Sequence, residues 1–190
     1  MYFVDGSVSI DPDTGEKQHV GASVVMMEEE EYEVLIKKTL PSHYSAQAAE
    51  LIALIEALHA AKGCVVTIYS DSAYLTTTVH AGLSRWRRRG FRKAGGSPVQ
   101  HAELLNKLIE ALSESSVVAI VKCQAHTHNE DEISLGNAAT DAALKQAPHL
   151  PIPMAKEYIM KEKGEEKQAE GYNTLPIAEI IELQKKSPTH

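Results

Sequence analysis

The chain is poor in cysteine, with only Cys64 and Cys123 among its 190 residues. Two isolated thiols build no disulfide framework, and neither stands at zinc-ligand spacing from a partner cysteine or histidine. Each flanks a β-branched run that reads as a buried strand, so both are expected to be reduced core thiols. Long apolar runs are also missing: nothing approaches the roughly 20 residues that span a bilayer, and no basic-then-apolar leader opens the chain. Cytosolic or nuclear residence, with no membrane partner, is the simplest expectation. The third absence is an excess of positive charge. Nineteen basic residues against 26 acidic ones leave a net charge of −7, which argues against a general nucleic-acid coat.

The distribution of charge qualifies that exclusion. From Val79 to His101 there are six basic residues (Arg85, Arg87, Arg88, Arg89, Arg92 and Lys93) and no acid, so this stretch carries +6 and the remainder −13. An acidic body with one concentrated basic patch points to local contact with a polyanion, the bland alternative being a solvated basic helix.

Length fits one domain of about 150 residues followed by a tail. YFVDGSVSI, VGASVVMM and EEEEYEVLIKKTL read as three strands joined by short turns, an antiparallel meander. Leu51, Leu54, Ile55 and Leu58 recur at helical spacing between Ser45, a plausible N-cap, and the stop at Gly63. CVVTIYS then has the continuous β-branched character of a strand covered on both faces, and a helix is expected from Ser72 to about His80. Ser97 and Pro98 are expected to open a further helix carrying Leu104, Leu105, Leu108 and Leu112. VVAIVKC supplies a fifth strand, the loop QAHTHNEDEIS follows, and a last helix spans about 135–146. The order βββαβααβα predicts an α/β fold with a five-stranded mixed sheet and helices on both faces. Residues 148–176 hold four prolines and the low-complexity KEKGEEKQAEG, too polar to order alone, and PIAEIIELQKK near the end reads as a short amphipathic helix.

Within this order four acids stand out: Asp5 and Asp71 at the ends of predicted strands, Glu50 and Asp141 on predicted helices. If adjacent central strands carry Asp5 and Asp71, both reach the same sheet edge. Gathering carboxylates costs several kcal/mol unless cations or protons join them. Hard oxygen donors suit Mg²⁺, with Mn²⁺ as the alternative, and two such ions about 4 Å apart serve phosphodiester hydrolysis. The competing view makes each acid an ordinary surface charge. It is poor for Asp5 and Asp71, which sit in apolar strands, and stronger for Glu50 and Asp141. His126, in the loop after the last strand, is either a proton shuttle for the leaving group or a solvated histidine.

Taken together, VDGS around Asp5, SAQAAELIAL around Glu50, YSDSAY around Asp71, QAHT with His126 and GNAATDAA with Asp141 resemble a type 1 ribonuclease H domain. The likeness is greatest to the domain in the polymerase polyprotein of gammaretrovirus-like and endogenous retroviruses, and it covers about residues 2–147. SRWRRRGF followed by GGSPVQHAELL is similar to the family's basic protrusion, here at about 82–95.

The resemblance implies a ribonuclease H-like fold over 1–147 and a metal-dependent endonuclease that cuts the RNA strand of RNA/DNA hybrids during reverse transcription. It further implies that Asp5 bridges two metal ions, that Asp141 completes the water-activating site, and that Glu50 and Asp71 hold the leaving-group metal. His126 would be the family's mobile histidine near the scissile phosphate. Gly6 and Ser7 would approach the RNA strand, Gln47 and Tyr74 would touch the hybrid, and Arg85, Arg87, Arg88, Arg89, Arg92 and Lys93 would meet the DNA strand, with Trp86 stacking there or packing its helix. An associated reverse transcriptase polymerase domain, and so a viral reverse-transcription complex, is the implied setting. Residues 148–190 resemble a linker toward an integrase domain. HNEDEIS departs from the family in carrying three acids, which would weaken substrate approach. An alternative is a domesticated or isolated domain that binds hybrid or structured RNA with little catalysis; an inactive scaffold is disfavoured by the intact acids.

Overall fold

The computed structural model describes residues 1–29, 31–125 and 129–145. His126, Thr127 and His128, and the tail from 146 onward with the linker reading attached to it, lie outside the described residues. Five strands form one sheet in the order β3-β2-β1-β4-β5. The meander β1 (Tyr2–Ile10), β2 (Lys17–Glu28) and β3 (Glu31–Leu40) is antiparallel, as its short turns require. β4 (Val65–Ser70) and β5 (Val117–Lys122) are added in parallel beside β1.

Alternation along β1 divides the core. Val4 faces the larger apolar cluster with Leu51, Leu54, Leu58, Leu105 and Leu108, while Phe3 faces a smaller one with Val25, Met27, Tyr69 and Cys123. The larger cluster lies under α1 (Ala46–Ala60) and α4 (Ala102–Glu114); α5 (Glu132–Lys145) packs on the other side, against β1 and β2. Leu51, Leu54 and Leu58 are fully buried, and each such side chain contributes about 2 kcal/mol. α1 begins where expected: the Ser45 hydroxyl accepts the Ala48 N–H at 3.1 Å.

Three local expectations are corrected. The helix after β4 does not stop near His80: α2 (Ala73–Thr77) passes through a π-helical turn, Thr78–Gly82, into α3 (Leu83–Arg88), so Arg85, Arg87 and Arg88 are helical. α4 does not start at Pro98. Phe91 and Val99 are both buried, and their approach closes a hairpin in which the Val99 N–H donates to the Phe91 carbonyl and the Lys93 N–H to the Ser97 carbonyl, each at 2.8 Å. Pro98 is thereby held in a bridge opposite Arg92, and the helix begins after His101, which sits in the left-handed region at φ 59° with its Nε2 3.2 Å from the Ser45 hydroxyl. Finally, Cys123 is a buried thiol as expected, but Cys64 is only half-buried.

Candidate metal centre

β1 and β4 are paired so that Phe3 lies beside Tyr69. Their rings stack at 5.3 Å, so both point to the α5 side of the sheet. Asp5 and Asp71 are each two residues further on and therefore share a level and a face. Asp5 lies within β1, just past its pairing with β4, and Asp71 one residue beyond the end of β4, so the expectation that Asp5 ends its strand is corrected. Asp71 sits in a short strand-to-helix turn built by its serine neighbours. The Ser70 hydroxyl accepts the Ser72 N–H at 3.1 Å, and the Ser72 hydroxyl caps α2 by accepting the Leu75 N–H at 3.2 Å.

Glu50 arrives from the opposite side of the sheet. α1 crosses β1 so closely at Gly6 that a Cβ there would lie 2.2 Å from the Glu50 backbone nitrogen and 2.4 Å from the Ala49 carbonyl carbon. Only glycine permits this crossing, and the crossing lets a helix on one layer deliver its carboxylate to two acids that face the other. Gly6, expected at the RNA strand, is thus a buried seat for α1.

The result is a cluster in which one ligand oxygen each from Asp5, Glu50 and Asp71 lies within 4.8 Å of the others. Two unit charges at that separation repel by about 3 kcal/mol at an effective dielectric constant near 20. Glu50 absorbs the conflict. Burial, then the charges of Asp5 and Asp71, push its carboxyl up to about 9 against a hydrogen bond from the Gly6 backbone, so without a cation it is protonated at neutral pH. Its Oε2 is buried and has no hydrogen-bond partner among the described residues. A buried carboxyl group with an oxygen that lacks a donor, clustered with two further hard oxygen ligands, fits a divalent cation.

Asp141 is not in this cluster. It lies half-buried on α5, where its Oδ2 accepts from the Lys145 ammonium at 2.6 Å, an i,i+4 pair. One turn earlier on the same helix, Asn137 does reach the site: its Nδ2 donates to Asp71 Oδ2 at 3.1 Å, and the residue is only 5% exposed. The sequence reading overlooked Asn137; its i,i+4 spacing from Asp141 in GNAATDAA was the available signal. Gly136 beside it makes room for Phe3, whose ring carbons would lie 2.3 Å from a Cβ there.

The remaining expected residues surround this centre at various depths. Gln47 is exposed in the first turn of α1; Ser7 and Tyr74 are half-buried, and burial raises the Tyr74 phenol. Arg85, Arg87, Arg88, Arg89, Arg92 and Lys93 are all exposed, and among the described residues none of them forms a salt bridge. Trp86 packs: half-buried, it lies against the core with its ring over Gly82. Of the acids before α5, Asp131 caps that helix, accepting from the Ser134 N–H at 2.9 Å and from its hydroxyl at 2.8 Å, and Glu132 occupies the first turn where the helix dipole favours an anion.

Comparison with known proteins agrees with this fold. The family model described as RNase H matches residues 1–148. The Gag-Pol polyprotein of baboon endogenous virus (strain M7) is 34% identical over 146 residues, covering 77% of this chain and 8% of the polyprotein. That of walleye dermal sarcoma virus is 36% identical over 130 residues, covering 68% of this chain and 7% of the polyprotein. The chain therefore spans less than a tenth of these relatives' length. Among solved structures, the PFV RNase H domain superposes with a TM-score of 0.63 at 27% identity, covering 76% of this chain and 91% of that domain. A foamy viral protease-reverse transcriptase in complex with RNA/DNA hybrid shares the fold at TM-score 0.61 and 23% identity, covering 76% of this chain and 19% of that one. A five-stranded mixed sheet shared with these structures, and a family model that matches residues 1–148, show that the chain belongs to the RNase H family.

Proposed function

We propose that the domain hydrolyses the RNA strand of RNA/DNA hybrids, with divalent cations held by Asp5, Glu50 and Asp71. The observation that carries this reading is the convergence of these carboxylates, one ligand oxygen from each lying within 4.8 Å of the others. Two Mg²⁺ ions, with Mn²⁺ as substitute, are the cofactors the donor chemistry favours; bound there, they supply a polarised water and charge stabilisation for the leaving oxygen. Asp5 contributes its carboxylate from within β1 and Asp71 from the turn that follows β4. Asp141 joins the ligand set once its carboxylate leaves Lys145, and His126, which follows β5 in the sequence, serves the leaving group. The exposed arginines of α3, with Arg89, Arg92 and Lys93, lie along the DNA strand and neutralise phosphates without reading bases. A reverse transcriptase polymerase domain within a viral reverse-transcription complex is the partner that the relatives support.

The deciding experiment incubates the protein with a labelled RNA/DNA hybrid and Mg²⁺, beside Asp71→Asn. Metal-dependent cuts in the RNA strand, absent with the variant and with chelator, are expected; no metal-dependent cleavage by the parent protein sinks the reading. The pairing of Asp141 with Lys145 favours a second reading, a domain that holds hybrid but cuts poorly by itself. It predicts hybrid binding that survives Asp71→Asn with turnover near background, and robust turnover excludes it.

A separate outcome concerns the basic patch. Replacing Arg85, Arg87 and Arg88 together by Gln is expected to raise KM for the hybrid with little change in kcat. The slope of log affinity against log salt should become shallower by roughly one for each phosphate contact removed. An unchanged slope would show that these side chains face solvent only.

A further inference from the structure

We propose that Cys123 and Asn137 form a positioning chain that fixes the Asp71 carboxylate for metal binding. The inference rests on the reading of Asp71 as a ligand and adds residues to which that reading assigns no task. Asn137 is buried and offers its amide in two directions. Its Nδ2 donates to Asp71 Oδ2 at 3.1 Å, and its Oδ1 accepts from the Cys123 thiol at 3.5 Å. The polarity of this chain is dictated by chemistry. A carboxylate only accepts, so the amide must present its NH₂ to Asp71, and the carbonyl left facing the other way needs a donor. Cys123 is the donor that the structure provides. Were the amide to turn over, its oxygen would meet the acceptor-only carboxylate, so Asp71 selects the amide orientation and the thiol, donating to the carbonyl left on the other side, completes it.

Both ends of the chain are anchored by backbone contacts. The Cys123 N–H donates to the Ser70 carbonyl at 3.0 Å, which places the thiol beside the residue preceding Asp71. On α5, the Asn137 carbonyl accepts from the Thr140 hydroxyl at 2.7 Å, and the Ser23 hydroxyl of β2 donates to the Thr140 carbonyl at 3.2 Å, with Ser23 and Thr140 fully buried. The helix turn that carries Asn137 is thus tied to the sheet. Burial first, then the nearby Asp71 charge, push the Cys123 thiol up to about 11, which keeps it protonated and donating across the neutral range. Asp71 is consequently left with one oxygen engaged by the amide while a ligand oxygen of the same carboxylate group takes part in the cluster with Asp5 and Glu50. Orientation of a ligand carboxylate by an outer hydrogen bond is a common determinant of metal affinity.

The test is Mn²⁺ binding to the full chain without nucleic acid, followed by titration calorimetry or electron paramagnetic resonance, together with melting of each metal-free variant. Asn137→Leu, which keeps approximate shape and removes the amide, is expected to weaken Mn²⁺ binding by about 10-fold to 100-fold. Cys123→Val removes only the donor and is expected to weaken it by about 10-fold, whereas Cys123→Ser, which still donates, restores binding close to the parent value. Cys123→Ala serves the same comparison if valine lowers the metal-free melting temperature. A merely structural role would move the melting temperature and leave Mn²⁺ affinity and the serine rescue unaffected. Parent-like Mn²⁺ binding in the valine, alanine and leucine variants, while Asp71→Asn has lost it, overturns the positioning chain and leaves the metal reading standing. Parent-like binding in Asp71→Asn overturns the metal reading itself.

Discussion

Glu50→Gln is expected to abolish metal-dependent cleavage and, in the absence of divalent metal, to make the domain more stable than its parent. Both effects have one cause. Glu50 is buried beside Asp5 and Asp71, and its carboxyl is pushed up to about 9 from an ordinary value of 4.5. Between these two values the folded state retains a proton that the unfolded chain releases. Because the unfolded state binds fewer protons in that window, stability falls as pH rises through it. The slope approaches at most about 1.4 kcal/mol per pH unit for a single group. Glutamine carries no titrating proton and removes this loss. Melting curves in chelator at pH 6, 7.5 and 9 should show the parent falling with pH and the variant nearly flat in this contribution, with about 3 °C separating them for each kcal/mol. Saturating Mg²⁺ should reverse the ranking, since a ligand that binds only the folded state stabilises it in proportion to the logarithm of its concentration over Kd. Cleavage should drop by more than the roughly 100-fold that loss of an outer-shell partner costs, because a direct ligand is lost. A glutamine variant that melts below the parent in chelator at pH 9 would contradict the electrostatic account of the site.

Gly6→Ala carries the second large effect. The added carbon would lie 2.2 Å from the Glu50 nitrogen and 2.4 Å from the Ala49 carbonyl carbon, both backbone atoms that no rotamer change can move aside. α1 would have to lift from β1, and its buried face, including the fully buried Leu51 and Leu54, would lose contact with the sheet. Overpacking commonly costs 1–3 kcal/mol and more where backbone is involved, so a loss of at least about 3 kcal/mol is expected. The same displacement carries Glu50 away from Asp5 and Asp71. Urea denaturation should therefore show a lower midpoint, and any folded fraction should bind Mn²⁺ poorly. Ser7→Ala, one residue on and half-buried, provides the contrast and should change the midpoint by less than about 1 kcal/mol. Equal midpoints for the two variants would show that α1 does not depend on Gly6.

These two outcomes also mark where sequence reasoning reached its range. The strands and α1 were legible because their signals are local: period-two alternation, helical spacing of Leu51, Leu54 and Leu58, and the Ser45 cap. The start of α4 was not, because the Ser97–Pro98 signal competes with burial of Phe91 against the domain, a long-range contact that holds Pro98 in a bridge. The junction of α2 and α3 was missed for a similar reason. A π-helical turn carries no distinct spacing, and here it lies where Trp86 settles over Gly82. Gly6 looked like a glycine for ligand approach, and the neighbour that needs the space is α1. Asn137 carried only the signal of its i,i+4 spacing from Asp141, because amide side chains acquire a role only through what they face.

The amino-acid sequence by itself determined the succession of strands and helices, the presence of four acids in or beside them, the isolated basic stretch and the likeness to the RNase H family. Each of these depends on residue type and on spacing within one element. Tertiary structure alone decided which acids meet. Pairing of Phe3 with Tyr69 aligns Asp5 with Asp71, the close crossing at Gly6 brings Glu50 through from the other layer, and Asp141 lies outside the cluster, paired with Lys145 on its own helix. The proton on Glu50 follows from that meeting and from nothing in the sequence around it, since repulsion and desolvation depend on distances and burial that exist only after the layers have packed.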